Sequence, residues 1–338
     1  MSIFSPASAM LLRHHNKFNK RRIVFSGHLQ DTLSAQLETE NSYIHTQQYH
    51  QWETLRKIPQ TKVYFSLSPI SSILDNCDTL IYYWPNNKKK AQFQLQNLLS
   101  LLTCGSDIFI VGEYSSGIRS AHGMLENWVN LIKIDSAYRC GLYYGSLAKK
   151  SYFNLCEFWH EHLVEGITLK SLPGVFGYNG IDNGTELLLS TFRKDMEGKI
   201  LDVGCGTGII SAVIANRSPS ANITLADINV AALVASKATL LCNNLKGAVL
   251  ASNIYSKITG CFDMIVANPP FHDGPKVTLD IARTLIKDAP NFLYKGGELR
   301  IVANSFLPYH HILNKVFGHH TVIICNKYFK VYSAIKDN

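Results

Sequence analysis

Apolar residues along this chain gather into short uninterrupted runs, spaced by polar turns and by longer stretches whose apolar positions recur with helical period. That alternation predicts parallel strands covered on both faces by helices. In the second half, Lys199-Ile200-Leu201-Asp202-Val203 reads as a short buried strand, followed by Gly204-Cys205-Gly206-Thr207-Gly208 and an apolar helical stretch from Ile209 to Ala215. Ile223 to Asp227, Ala248 to Ser252 and Asp263 to Ala267 read as further strands. In the first half, Ile23 to Ser26, Lys62 to Ser66, Thr79 to Tyr83 and Asp107 to Gly112 read as strands, with helices over 88–102 and 117–129. The rhythm thus runs twice, which predicts two tandem α/β domains. Their junction is expected between residues 150 and 175, where Pro173-Gly174 marks a turn, giving domains 1–165 and 166–338.

The strand ends of the second half carry the chemistry. A strand, a glycine turn and a helix start let a ligand approach the backbone closely, and the free N–H groups of the helix favour a carboxylate or another anion. The glycines at 204, 206 and 208 give G-x-G-x-G, whereas the dinucleotide fingerprint asks for G-x-G-x-x-G, so nicotinamide and flavin are the weaker guesses. Asp227 ends the next strand, with Ile228 after it, and its carboxylate can accept from both hydroxyls of a ribose. Asn253 follows a third strand, where an adenine amino group would be read, although Asn is also a common turn former. Asp202 either meets a ligand amine or braces the glycine turn, and both readings stand.

Asn268-Pro269-Pro270-Phe271 closes a fourth strand. Proline rings fix φ and remove N–H donors, so this turn offers acceptors. Asn268 and the Pro269 carbonyl can take both hydrogens of an NH2 group conjugated to a ring, localising its lone pair, while Phe271 stacks on that ring. In an open α/β sheet all four strand ends converge on one crevice. This half resembles the class I S-adenosylmethionine-dependent methyltransferases, whose glycine loop, ribose acid and N-P-P-aromatic motif match Asp202 to Gly208, Asp227 and Asn268 to Phe271. The resemblance implies S-adenosylmethionine as cofactor, held by Asp202, Gly204, Cys205, Gly206, Gly208, Asp227, Ile228, Asn253 and Asn268. It implies Asn268, Pro269, Pro270 and Phe271 as the catalytic set, with S-adenosylhomocysteine as product. Neither a metal nor a covalent nucleophile is called for, because the methyl group is already activated.

Composition narrows the class. The chain has 338 residues, long enough for two domains, and with 46% hydrophobic and 17% charged residues it is globular. The net charge of +8 favours a polyanionic partner. Lysines 88 to 90, with Arg13, Lys17, Lys20, Arg21 and Arg22, are candidates to touch phosphates. The eight cysteines never form C-x-x-C and are expected to be buried reduced thiols. His14-His15, His310-His311 and His319-His320 lack an acidic companion at metal-ligand spacing and read as surface residues. Neither a secretory segment nor an apolar run of roughly 18 residues is present, so a cytoplasmic, non-membrane protein is expected.

The first half repeats the rhythm without the equipment. Gly27-His28-Leu29-Gln30 follows its first strand and Trp84-Pro85-Asn86-Asn87 its third, which suggests a duplication in which one copy lost its cofactor site. The Gly-Ser-rich turn Gly112 to Arg119 fits a phosphate site at a helix start, but reads more readily as a plain strand-to-helix connection. Residues 174–186 either cross over the cofactor's methionine end, with Gly184-Thr185 near the ligand, or serve as a packed linker.

Leu172-Pro173-Gly174-Val175-Phe176, Leu201 to Gly206, Asn268 to Gly274, Gly297 to Asn304 and Tyr82-Tyr83-Trp84-Pro85 together resemble the RsmC family of bacterial 16S ribosomal RNA (guanine-N2) methyltransferases over essentially the full length. The resemblance implies two tandem Rossmann-like class I methyltransferase domains, the N-terminal one degenerate and docking or stabilising RNA. It also implies N2-methylation of one guanine in 16S rRNA of the assembled small subunit, by a monomer. His28 and Tyr114-Ser115 depart from the family pattern, both in the non-catalytic half. Two other classes fit the motifs: methylation of a glutamine amide in a protein, and a non-catalytic RNA-binding assembly factor with a vestigial site.

Overall fold

The computed structural model describes residues 4–269 and 275–337. The chain divides into two units, Met1–Phe158 and Trp159–Asn338. The first holds β1 (Arg22–Gly27), β2 (Asn41–Thr46), β3 (Lys62–Phe65), β4 (Thr79–Tyr83), β5 (Asp107–Glu113), β6 (Ile132–Ala137) and β7 (Cys140–Ser146). The second opens with a hairpin, β8 (His160–Val164) and β9 (Ile167–Ser171). Its main sheet comprises β10 (Lys199–Val203), β11 (Asn222–Asp227), β12 (Ala248–Ala251), β13 (Phe262–Ala267), β14 (Leu293–Asn304), β15 (Thr321–Cys325) and β16 (Phe329–Ile335). The orders are β3-β2-β1-β4-β5-β7-β6 and β12-β11-β10-β13-β14-β16-β15, the same topology twice. In each sheet five strands run parallel, the sixth in the order (β7, β16) runs antiparallel to them, and the edge strand (β6, β15) is antiparallel to the sixth and so shares the direction of the five.

The parallel strands of the second sheet are apolar on both faces because helices cover both. Leu201, Val203, Ile265 and Ala267 pack with Ala282, Leu285, Tyr309 and Leu313 on one side. Ile200, Met264 and Val266 pack with Leu188, Ile210, Val213 and Ile214 on the other. Parallel pairing sets Asp202 beside Leu225 and Val266, and Val203 beside Ala226 and Ala267. The carboxyl ends of β10, β11 and β13 therefore lie level, and the residues that follow them emerge side by side.

Several expectations change. The strand Asn41–Thr46 and the antiparallel pair at each sheet edge were not legible from the sequence patterns. The helix expected over 117–129 is broken: Gly117 is left-handed at φ +80°, a 3-10 turn follows, and only Ala121–Leu125 is α-helical. Arg13, Arg21 and Arg22, candidates to touch phosphates, each also face a carboxylate, at 3.0 Å to Asp135, 2.7 Å to Asp107 and 3.3 Å to Asp78. His14 has an acidic companion after all, Asp135 at 2.8 Å, which sequence spacing hides because 121 residues separate them. All eight cysteines are free, but only Cys77, Cys140 and Cys205 are buried. Among the described residues no helix is long and apolar enough to cross a membrane.

The first unit lines its strand ends differently from its twin. Past β1 the chain stays against β4, with the His28 N–H donating to the Tyr83 carbonyl at 2.8 Å. Gly27, at φ +96°, has that same carbonyl where a Cβ would stand. The helix Pro6–Leu12 is tied there, its Ser8 hydroxyl 3.0 Å from the Tyr83 hydroxyl and donating to Asp31 at 2.9 Å.

On β14, Arg300 is buried and donates twice to Glu298, at 2.8 Å each, and once to the Thr191 carbonyl at 2.9 Å. This fork anchors the segment following the helix Asn183–Leu189 to the sheet. Removing one partner strands the other's charge, so Arg300→Met should cost about 3 to 5 kcal/mol. Thermal unfolding checks the loss, and hydrogen exchange should show faster opening around 183–192. An unchanged melting temperature contradicts the assignment.

Candidate active site

β10 ends at Val203 because Gly204 turns left-handed at φ +78°. The Gly204 and Cys205 N–H groups donate to the Ala226 carbonyl at 2.8 and 3.1 Å, which leans the turn toward β11. A Cβ on Gly204 would meet nothing within 4 Å, so the backbone there is open to a ligand. Gly208, at φ +80°, has the opposite reason to be glycine: a Cβ would stand 2.9 Å from that of Ser236, in the next helix. Gly208 caps the helix Ile209–Arg217. Cys205 turns its side chain into the core, where burial and then the Asp227 and Asp202 charges push its thiol upward, so it stays protonated.

The two acids sit beneath and beside this turn. Asp202 is fully buried; its Oδ2 accepts from the Ser211 hydroxyl at 2.7 Å, while Oδ1 has no partner. Burial pushes its carboxyl up to about 7, against the Ser211 hydrogen bonds. Asp227 is half-buried at the end of β11. Its Oδ2 accepts from the Gly206 N–H at 3.0 Å and its Oδ1 from the Asn229 N–H at 2.8 Å. Each oxygen keeps a second lone pair, so both can still accept a hydroxyl. Burial raises this carboxyl and the backbone N–H groups of Asn229, Gly206 and Ile228 oppose the rise.

Asn268 follows β13 and is buried. Its Nδ2 donates to the Thr185 hydroxyl oxygen at 2.7 Å and to Asp182 Oδ2 at 3.3 Å, while its Oδ1 is buried with no partner among the described residues. Thr185 donates its own hydroxyl to Asp182 Oδ2. Asp182 caps the helix Asn183–Leu189, accepting from the Gly184 and Thr185 N–H groups at 2.9 and 3.2 Å.

These parts line one cleft of roughly 360 Å³, a volume that includes the solvent at its mouth. Phe176, Gly177, Gly180, Asp182 and Thr185 form one wall, Gly204, Cys205 and Thr207 the other, and Asn268 lies between. Residues 174–186 are thus a cleft wall, with Thr185 in it as the crossing-segment reading expected. Asn268, Gly204 and Cys205 share the cleft; Gly206 is bonded to Asp227 beside it, and Gly208 closes the turn. Ile228 is half-buried next to Asp227. Asn253 is exposed past β12, its backbone N–H on the Ser256 hydroxyl at 3.1 Å, and the Ser252 N–H before it donates to the Asp227 carbonyl at 3.0 Å. Pro269 is buried beside Asn268, and Pro270 and Phe271 lie outside the described residues. Asp182 was missed as a functional residue, although Asp182 preceding Thr185-Glu186 and an apolar run is a helix-start signal that points to it.

An open glycine turn, a ribose-competent carboxylate and two buried unpartnered oxygens, Asp202 Oδ1 and Asn268 Oδ1, fit a ligand that brings N–H and O–H donors, as S-adenosylmethionine and an amine acceptor do.

Comparison with known proteins agrees. Residues 166–333 match the family model of the methyltransferase small domain, and residues 8–162 match that of the methyltransferase small domain N-terminal region. A ribosomal RNA small subunit methyltransferase C from Erwinia tasmaniensis is 54% identical over 336 residues, 99% of this chain and 98% of that protein. The Shigella flexneri protein of the same name is 53% identical over 335 residues, with the same coverage. Among solved structures, the Thermus thermophilus 16S rRNA N2 G1207 methyltransferase, in complex with AdoMet and guanosine, superimposes with a TM-score of 0.84. It covers 98% of this chain and 92% of its own at 21% identity, a likeness of fold. Two family models in tandem and identity above half along almost the whole length leave one conclusion: this chain belongs to the ribosomal RNA small subunit methyltransferase C family.

Proposed function

We propose that the protein transfers a methyl group from S-adenosylmethionine to N2 of one guanine in 16S rRNA. The observation that carries this reading is the Asn268 carboxamide, whose Oδ1 is buried and unpartnered while its nitrogen is held. A buried acceptor without a donor costs stability, and a substrate NH2 supplies the missing donor.

The cofactor supplies an electrophilic methyl on a sulfonium, so the chain's own residues have to position and stabilise. Gly204, Cys205 and Gly206 give the methionyl and ribose portions close backbone approach, and Asp227 accepts from the ribose hydroxyls. Ile228 and Asn253 complete the adenine side. Asp202 Oδ1 takes a donor from the methionyl ammonium, directly or through water. Asn268 Oδ1 and the Pro269 carbonyl accept the guanine N2 hydrogens, which localises the amine lone pair and stabilises the positive charge that develops on nitrogen. Turning the base out of its stack costs a few kcal/mol, and stacking on Phe271 would return about 1 to 3 kcal/mol. The proton leaves to water. The net charge of +8 and lysines 88 to 90 suit the first domain to RNA docking, on the assembled small subunit, by a monomer in the cytoplasm. Glutamine methylation and non-catalytic binding are outcomes of the same test: labelled cofactor is offered to naked rRNA, small subunits and a protein release factor, and the labelled atom is mapped. Label on guanine N2 is expected; label on a glutamine amide, or none, overturns the proposal.

Asn268→Ala should leave cofactor affinity near normal and lower kcat by about 10²- to 10³-fold, as loss of one preorganised transition-state contact does. Steady-state kinetics check it, and an unchanged kcat removes Asn268 from the reaction. Asp227→Ala should weaken cofactor binding about 10- to 100-fold by calorimetry; undiminished affinity refutes its ribose contact.

Asp202 gives a pH prediction. Its folded pKa of about 7 lies above the unfolded value near 3.8, so the folded protein holds a proton the unfolded chain has lost. Stability from this group is undiminished below about pH 4, falls as pH rises from there to about 7, and is lower by roughly 4 kcal/mol above that. Asp202→Asn should therefore raise the melting temperature of the cofactor-free protein most at pH 8, by less than half as much at pH 5 and hardly at all below about pH 4. Equal effects at pH 8 and pH 5 contradict the shift.

A further inference from the structure

The Asn268 carboxamide can sit in its plane in two ways, related by a half-turn that exchanges oxygen and nitrogen. Only one of them suits an amine substrate. With Oδ1 toward the cleft the amide accepts from the substrate's N–H groups; reversed, it would present its own N–H groups to them.

The surroundings are not indifferent between the two. Asp182, as a carboxylate, has no proton to give, so every hydrogen bond it makes is an accepted one. Its Oδ1 is committed to the helix cap, accepting from the Gly184 and Thr185 N–H groups. Its Oδ2 accepts the Thr185 hydroxyl and, at 3.3 Å, Asn268 Nδ2. Because Thr185 spends its one hydroxyl proton on Asp182, its oxygen can only accept from Asn268, and it does so at 2.7 Å. The direction of the chain of hydrogen bonds is set at Asp182 and transmitted to Asn268. The two acceptors lie together on one side of Nδ2 and share an Asn268 N–H, and the half-turned amide would put Oδ1 against a carboxylate and a lone pair. Donating toward a carboxylate also polarises the amide and makes its oxygen a better acceptor.

Resting on the functional reading above, we infer that Asp182 and Thr185 are positioning residues that fix the orientation of the Asn268 amide for the acceptor amine. The Asp182 carboxylate, which also caps the helix Asn183–Leu189, imposes the polarity. Its contribution to the rate passes through Asn268 rather than through helix stability or cofactor affinity.

The test is a double-mutant cycle. Asp182→Asn keeps the volume and a good helix cap, since Asn caps as well as Asp. It introduces an NH2 that donates to Thr185, reverses the chain and favours the unproductive amide. Single-turnover transfer of labelled methyl to small subunits should slow about 10- to 100-fold in Asp182→Asn, the range for losing an outer-shell orienting partner. The melting temperature, the cofactor dissociation constant and the KM for the subunit should change little. In an Asn268→Ala background the same substitution should cost no more than about twofold, because residues acting through one group are not additive. Thr185→Val should behave like Asp182→Asn, and Thr185→Ser should restore the rate. Equal losses from Asp182→Asn in both backgrounds, or none in the otherwise native chain, overturn the inference. Failure of the native chain to label guanine N2 overturns the functional reading itself and this inference with it.

Discussion

The parallel register at the centre of the second sheet is the constraint on which the site depends. Val203 pairs with Ala226 on one side and Ala267 on the other, so three strands finish at one level. A one-residue slip of β13 would carry Asn268 past the glycine turn and exchange the buried and opposite faces of the strand. What prevents the slip is the covering of both faces: Ile265 and Ala267 fill one core, Met264 and Val266 the other. The chemistry is therefore placed by apolar packing that contains none of it.

That packing also supports groups a core would not choose. Asp202 and Asn268 each hold a buried oxygen without a partner, and Asp202 is a carboxylate under an apolar helix. Both are local losses against the burial around them, and both oxygens belong to residues of the proposed site. An acceptor already desolvated and held in place needs no reorganisation when a donor arrives, which is how preorganised polar groups favour a transition state. The buried Arg300 and Glu298 fork fits the same pattern, spending a charged pair to hold the end of the segment that carries Asp182 and Thr185.

The sequence disclosed whatever is local. Lys199–Val203, the glycine turn, Asp227 at a strand end and Asn268 after another are contiguous patterns, and the structure places them as read. Thr79–Tyr83 and the helix beginning at Lys88 were equally legible. Antiparallel edges were not, since β15 is exposed along its whole length and shows no inward apolar stripe to betray it. Nor were partners far apart in sequence: Asp182 and Asn268 are 86 residues apart, and Arg21 and Asp107 are likewise joined only by the fold. Composition marked the arginines as free cations, and only the folded chain shows their carboxylates. Asn253, read from a strand end, does follow β12, next to the Ser252 N–H that donates to the Asp227 carbonyl.

Two sheets of one topology carry differently built strand ends, and the backbone just past the first strand of each shows where they part. In the second unit the Gly204 and Cys205 N–H groups bond to the end of β11, and Gly206 bonds onward to Asp227, so the turn leans away from β13. The gap left between β10 and β13 is the one the Asn268 amide overlooks. In the first unit the equivalent N–H, that of His28, bonds to the end of β4, the counterpart of β13, and the turn leans the other way. Main chain narrows the space beside β1, with the Tyr83 carbonyl lying where a Gly27 Cβ would be. The Tyr83 hydroxyl is tied through Ser8 to Asp31 and the helix Pro6–Leu12, so the hollow at these strand ends is lined by Ala7, His28, Tyr83 and Trp84 where the second unit has a glycine turn and an amide. The difference between the two is thus built into the packing of the first unit.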